Sequence, residues 1–578
     1  MNRNFRALAI GLLLGLFTVA FMRTAWVTED AYISFRVIDN LLSGFGLVWN
    51  PGERVQVFTH PLWLFLLTPL TWLLNDPFWA SLSLSYLLML FVILMLYAVG
   101  RNQLAITLSI LFALLASRSF IDYSSSGLEN PLVHALLVTF LWVYLRGKNY
   151  ARRNLILGVL FALLYLARPD AVVIVTPGLL ALALEHIHRK RQFPWSLLGG
   201  SIILVGWTLF SLFYFGSMVP NTALAKLGTG LSFAQSSAQA MAGVYWLVHM
   251  DTVTLLLITV GGAWALSARD RDVKALGLGV VLWFLYYLYA GGDYMGGRFF
   301  SPVVLVATFL LIDRLQSSGF NAQTVWCVLL ATMVIVSLRP YHGFAPYFSE
   351  ETTAFEQVPG GLSSTLMSPS DFYDLRIGSD GMADERGYYY RYLGMLPNLF
   401  EKGLREKSLP AQMGRQARDA SSKFLACNIG VFGYYARQSI EIVDPLALAD
   451  PMLSRLPARE GARVGHYERA LPKGYIETIS DGENHIEDPS LARLWTLIDT
   501  VTRGELFSVH RLRAIYELNV NGRELVRMAA YDRNDLHLPG ESTGSRAMLS
   551  CLGQEQGPFI WPLIHGESGV KVARFASP

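Results

Sequence analysis

Residues 78–99 read FWASLSLSYLLMLFVILMLYAV, 22 residues without one charged side chain. A bilayer core about 30 Å thick takes about 20 apolar residues per helix. Asp, Lys or Arg at the centre of such a helix costs about 2.5–3.5 kcal/mol on insertion scales. Leu197–Phe215 and Thr324–Leu338 are of the same kind, and such runs concentrate before residue 340. Over all 578 residues, 53% are apolar; soluble globular chains average about 45–50% with glycine included. The expected fold is therefore mainly α, a polytopic helical membrane domain.

Working outward from 78–99, eleven spans are expected: 6–22, 78–99, 102–118, 131–146, 154–168, 170–185, 197–215, 252–268, 275–290, 299–314 and 324–338. The first could be a signal peptide, but Phe21-Met22-Arg23 is a poor small-residue cleavage site, so it reads as a retained helix. Pro61–Leu74 is short for a span and reads as an interfacial or re-entrant helix. Lys and Arg in short loops mark the cytoplasmic side. Arg146–Arg153, His186–Arg191 and Arg269–Lys274 all fall on one side of this arrangement, which puts the N-terminus inside and residues after 338 outside.

The opposite face then collects Val27–His60, Ser119–Asn130, Arg168-Pro169-Asp170, Gly216–Met250 and Gly291–Phe300, together with a tail of near-average composition. Residues 1–339 are expected to form a transmembrane unit with outer loops, and 340–578 an α/β or α+β extracytoplasmic domain. In the tail, Ser439–Val443 and Leu512–Leu518 look strand-like, Ala411–Ala420 and Leu491–Thr502 look helical, and Pro539–Ser545 separates elements. A net charge of +3 implies no broad nucleic-acid surface. Cys327, Cys427 and Cys551 make no CxxC pair, which argues against a zinc or redox motif. Cys427 and Cys551, in an oxidising compartment, could pair or stay as two buried thiols.

Polar chemistry gathers in the outer loops. Glu29-Asp30 are adjacent carboxylates just past the first helix; they could supply a general base or simply cap the next helix. His60 could carry a proton, bind a ligand or sit at the interface. Arg168-Pro169-Asp170 could be a salt bridge fixing a helix junction, or Arg168 could hold a lipid phosphate through its planar donor fork. Gly291-Gly-Asp293-Tyr294-Met-Gly-Gly-Arg298-Phe-Phe300 is the densest cluster. Its glycines permit close backbone approach, and Asp293, Tyr294 and Arg298 offer charge and a ring platform. Glu129 in Ser126–Pro131, and Asn221 and Lys226 in Val219–Lys226, are weaker signals alone.

As an ordered set these segments resemble a known family. Glu29-Asp30-Ala-Tyr-Ile-Ser-Phe-Arg36, Gly46-Leu-Val-Trp-Asn50, Thr59-His-Pro-Leu-Trp63, Ser126-Gly-Leu-Glu-Asn-Pro131, Ala167-Arg-Pro-Asp170, Val219-Pro-Asn-Thr222, Gly292-Asp293 and Gly297-Arg-Phe-Phe300 carry the resemblance, with Gly430–Tyr435 and Val443-Asp-Pro-Leu446 in the tail. The chain resembles the GT-C superfamily of membrane glycosyltransferases, and within it the polyprenyl-phosphate-arabinose-dependent arabinofuranosyltransferases of the mycobacterial cell-wall and pilin types. The family often shows Asp-Asp where this chain has Glu29-Asp30, which leaves Asp30 as the expected base and Glu29 as a positioning or metal-binding neighbour.

The resemblance implies a multi-pass protein of a bacterial inner membrane with a periplasmic tail. It implies transfer of D-arabinofuranose from a polyprenyl-phosphate donor to a glycan or to a glycoprotein acceptor such as a pilin. His60, Glu129, Arg168, Asp170, Asn221, Lys226, Asp293, Tyr294 and Arg298 are the expected donor-binding residues. A divalent metal is compatible with Glu29, Asp30, His60 and Asp293, although their spacing demands none. The competing readings are a transporter or flippase of lipid-linked sugars and a non-catalytic glycan-binding assembly protein. A transporter usually shows repeat symmetry and midplane ionisable groups, neither of which is visible here.

Overall fold

A computed structural model describes residues 3–315, 322–338, 382–418, 423–460, 462, 465–534, 560–566 and 569–572. The 339/340 boundary, Pro539–Ser545 and Cys551 lie outside them. Every expected span is a helix. In chain order the helices up to residue 338 are α1 (Arg3–Thr24), α2 (Glu29–Leu42), α3 (Pro61–Leu74), α4 (Pro77–Gly100), α5 (Leu104–Ala116), α6 (Arg118–Asp122), α7 (Asn130–Arg146) and α8 (Arg153–Ala167). There follow α9 (Val172–Lys190), α10 (Ser201–Tyr214), α11 (Asn221–Leu227), α12 (Phe233–Met250), α13 (Thr252–Leu266), α14 (Arg271–Ala290), α15 (Phe300–Leu315) and α16 (Ala322–Leu338).

Among the described residues, α1, α4 and α14, and α9 and α10 with the turns that precede them, are long and apolar enough to cross a membrane. The pair α12–α13 also qualifies but is bent by 108° at Asp251. The chain is thus a multi-pass membrane protein with a mainly helical fold. At the centre stands α15, buried from Phe300 through Ile312 and packed by α4, α5, α7 and α13. A helix apolar on every side suits such a central place.

Two elements differ from the sequence reading. The outer loop 216–250 contains α11 and α12, and α12 opens with a Ser232–Gln235 capping box. Its serines, glutamines and glycine keep the mean hydropathy too low to resemble a span. The strand-like Leu512–Leu518 is instead helical. Arg511, Ala514, Ile515 and Leu518 are buried at three- and four-residue spacing, the period of a helix face.

The tail contributes α17 (Glu385–Leu393), α18 (Met395–Phe400), α19 (Leu409–Ala417), α20 (Ile429–Ala436), α21 (Tyr475–Asp481), α22 (Pro489–Arg503) and α23 (Val509–Met528). Its strands β1 (Lys423–Ala426), β2 (Glu441–Val443), β3 (Ile560–Gly566) and β4 (Gly569–Val572) form one sheet in the order β2-β1-β3-β4. The β1–β2 pair is parallel and the other two are antiparallel. Cys427, at the end of β1, is disulfide-bonded, whereas Cys327 is free.

The tail is not tethered loosely. Val27 donates to the Leu393 carbonyl (2.9 Å) and Met395 to that of Ala25 (2.7 Å), so the tail backbone pairs with the segment after α1. One apolar core runs from Leu13 of α1 through α2 and α15 to Phe432 and Ala449 of the tail.

Candidate active site

Each expected donor-binding loop leaves a helix end, and the bundle brings most of those ends to one place. Glu129 precedes α7 and is 2% exposed. Its carboxylate meets Arg298 Nη2 at 3.2 Å, His60 Nδ1 at 3.2 Å and Arg168 Nη1 at 3.8 Å. Burial alone would raise the Glu129 carboxyl, but Arg298, with His60 and Arg168, holds it well below the usual range. Arg298 also approaches Asp293 at 3.7 Å, and burial, which would lower it, is outweighed by Glu129 and Asp293, so its pKa is raised.

Arg168 is held from two sides. Its Nε donates to Asp170 (2.9 Å), and its guanidinium lies 4.4 Å from the centre of the Phe299 ring. His60 places its other ring nitrogen 2.9 Å from Ser34 Oγ on α2. The turn carrying Glu129 reaches α2 because Gly127, at φ +75°, has Val27 and Ala31 where a β-carbon would sit.

Two donors in this cluster have no hydrogen-bond acceptor among the described residues, although both are buried: Arg298 Nε and Arg168 Nη1. A buried guanidinium N–H without a partner costs free energy unless something arrives to accept from it.

Asp30 and Glu29 begin α2 and diverge. Asp30 is half-buried and accepts from the Tyr294 hydroxyl at 3.2 Å. Glu29 turns to the tail, where its carboxyl accepts from Val431 N at 3.1 Å at the start of α20. Desolvation, then the neighbouring Asp30 charge, pushes the Glu29 carboxyl up to about 8 despite that bond. At neutral pH Glu29 is mostly protonated, and the two adjacent acids differ in what they face.

The structure therefore brings together His60, Glu129, Arg168, Asp170, Asp293 and Arg298, with Asp30 joined through Tyr294. It does not bring in Asn221, whose amide donates to the carbonyls of Ala447, Leu448 and Asp450 and thereby fixes a tail turn. Lys226 stands half-buried in the last turn of α11 and makes no ion pair with the described residues. Among the described residues no three His, Cys, Asp or Glu side chains converge to hold a metal ion.

Sequence reading missed a second buried charge network beside this one. Asp122 of α6 meets Arg118 at 3.0 Å and Arg386 of the tail at 2.8 Å, and Arg118 also pairs with Asp384. Next to it Glu385 accepts from Thr28 Oγ1 at 2.9 Å, one residue before Glu29. The run Asp384-Glu385-Arg386, three charges ahead of an aromatic helix, was the available signal. His466, whose ring packs edge-on to Tyr294 at 4.4 Å, had none.

Two curated proteins are similar to the chain over most of its length. A Mycobacterium tuberculosis protein named terminal beta-(1->2)-arabinofuranosyltransferase is 26% identical, over 78% of this chain and 82% of its own. A Corynebacterium glutamicum protein of the same name is 24% identical, over 76% of this chain and 72% of its own. The chain is a relative of these terminal arabinofuranosyltransferases. No family model matches. Among solved structures, ArnT from Cupriavidus metallidurans bound to undecaprenyl phosphate superposes with a TM-score of 0.46 at 12% identity, covering 76% of this chain and 86% of that one. The resemblance to arabinofuranosyltransferases read from the motifs thus stands on relatives aligned over most of the chain.

Proposed function

We propose that the chain is a membrane glycosyltransferase that moves D-arabinofuranose from a polyprenyl-phosphate donor to a glycan or glycoprotein acceptor on the outer side of a bacterial inner membrane. The names of the two aligned relatives support the sugar. The observation that carries the site is the pair of buried donors, Arg298 Nε and Arg168 Nη1, without hydrogen-bond acceptors among the described residues, beside a half-buried Asp30. In this reading the N-terminus is cytoplasmic, and residues from 340 on form a periplasmic domain closing over the site.

The chemistry follows from the charges. Asp30 takes the proton of the acceptor hydroxyl, and the acceptor oxygen bonds to the anomeric carbon. The bond from that carbon to the phosphate oxygen breaks, and its electron pair leaves on polyprenyl phosphate. Arg298 and Arg168 accept that growing charge in a site already desolvated, where fixed cations stabilise a transition state most. Glu129 keeps both guanidiniums aimed while the site is empty. The Tyr294 hydroxyl orients the Asp30 carboxylate, and Glu29 locks the tail helix to α2.

Replacing Asp30 by Asn tests this. Transfer from polyprenyl-phosphate arabinose should fall by about 10²–10⁴-fold, the usual worth of a general base, with thermal stability in detergent unchanged. Full activity in that variant removes the proposed base. The transporter reading is tested in the same preparation: vesicle-reconstituted protein that moves the lipid-linked sugar across the bilayer without consuming it would replace the enzyme.

A further inference from the structure

The tail meets the membrane unit a second time, far from the charged cluster. Arg511 of α23 is fully buried and donates to the Val501 carbonyl (2.8 Å) and to those of Phe213 (2.8 Å) and Tyr214 (2.9 Å). The last two are among the carbonyls that a helix C-terminus leaves without intrahelical partners. A cation there is also favoured by the helix dipole. Asn519 adds a bond to the Gly216 carbonyl at 2.8 Å. Thus α23 is pinned by its buried side to the membrane-exit end of α10.

The other side of α23 is uncovered. Val509, Leu512, Tyr516 and Val520 recur at helical spacing and are 64%, 46%, 71% and 57% exposed. Phe507, just before the helix, packs at a tilt against Phe213 at 5.3 Å between ring centres and is itself exposed. This apolar row continues the surface of α10, where Ile202, Val205 and Leu209 are also bare. On a span of that composition such a surface is bathed by lipid. The same face is interleaved with arginines, Arg513 near its start and Arg523 near its end. Glu517 pairs with Arg493 (2.7 Å) and Glu524 with Arg527 (2.9 Å), leaving Arg513 and Arg523 without a carboxylate among the described residues.

We propose that α23 is an interfacial helix, lying in the headgroup zone of the leaflet on the tail's side, with Val509, Leu512, Tyr516 and Val520 among acyl chains and Arg513 and Arg523 on anionic headgroups. An apolar row with aromatic and arginine flanks is the composition of helices that lie in the plane of a membrane. Continuity with the lipid-facing side of α10 selects lipid over a second copy of the chain or a soluble protein. The placement does not depend on the chemistry of the site.

The full chain, with Cys327→Ser to remove the free thiol, is spin-labelled at Tyr516→Cys, at Val520→Cys and, as an aqueous reference, at Glu483→Cys. Labelled protein is placed in nanodiscs of phosphatidylcholine with or without phosphatidylglycerol. The ratio of collisions with oxygen to collisions with a nickel chelate should be higher at 516 and 520 than at 483. It should rise further with phosphatidylglycerol, and lose that rise in Arg513→Gln/Arg523→Gln. A ratio at 516 and 520 equal to that at 483, or dipolar broadening between labels of two chains, overturns the placement. If the labelled variants do not fold, photoactivatable lipid on the native-sequence chain decides. Adducts on 507–520 support the proposal, and adducts on 202–210 without any on 507–520 overturn it.

Discussion

Glu129 shows how much one side chain can hold. It is buried beside two arginines and a histidine delivered by three other loops. Removing one partner of a buried ion pair costs about 3–5 kcal/mol, because the other charge stays buried without compensation. Glu129→Gln should therefore lower the thermal midpoint in detergent and weaken donor binding together. By contrast, Lys226→Ala, which removes no ion pair among the described residues, should leave the midpoint unchanged. Glu29 gives the opposite pH behaviour from an ordinary carboxylate. Its folded value is raised from 4.5 to about 8, so its contribution is complete below about 4.5 and is lost as pH rises through about 8. Thermal midpoints measured from pH 5 to pH 9 should fall, and Glu29→Gln, which cannot ionise, should flatten that fall. The sequence offered Glu129 within Ser126–Pro131 and, through the resemblance, as a donor-binding residue, but not its partners, which are set by how distant helix ends meet and which no local pattern records. Glu29-Asp30 stood out in the sequence because the acid pair follows a span directly.

At the scale of elements, α2 is the joint between membrane unit and tail. Arg36 donates to the carbonyls of Trp49 (3.0 Å), Gly433 (2.8 Å) and Ile440 (2.9 Å), so one guanidinium ties the first loop to both α20 and β2. Asn50 exchanges bonds with the backbone of Ile442 at 3.1 Å, as a neighbouring strand would. Gly433 must be glycine here, since a β-carbon would lie 2.6 Å from the Trp49 ring. Hydrogen bonds to charged groups contribute about 1.5–3 kcal/mol each. Arg36→Ala should then cost at least about 3 kcal/mol and make the tail sensitive to protease, and Gly433→Val should do the same by clash. Much of the Gly46–Asn50 and Gly430–Tyr435 pattern is thus explained by docking. The helices of the membrane unit were legible to within a few residues because long apolar runs without charge mark them, although among the described residues only five, or six with the bent pair, are long and apolar enough to cross a membrane. Helix α12 and the helical state of Leu512–Leu518 were not, since in both the apolar residues share the surface with polar ones and only packing decides the period.

At the scale of the whole molecule, the largest apolar core crosses what the sequence divides at residue 340, and a second core lies almost wholly in the tail, around Leu453, Leu494 and Ile498. Ile429, Val431 and Phe432 of α20 and Tyr390 and Leu393 of α17 are buried in the same cluster as α1 and α2. Expressed without the membrane unit, residues 382–578 would bare that surface. Left with only their own core around Leu453, Leu494 and Ile498, they should unfold at a lower midpoint than the full chain, which in detergent should lose tail and membrane-unit signals together. Calorimetry of the two preparations measures this.

The order of strands in the tail sheet adds a constraint on time. Strand β1 ends at Ala426 but takes its antiparallel neighbour from β3, which begins at Ile560. A ribosome delivers α20, the element that grips Glu29, long before it delivers the strand that completes the sheet beneath it. Until then one edge of β1 is open to any passing strand. Premature termination anywhere between the two would release a chain whose membrane part is finished and whose sheet is not, a ready substrate for proteases.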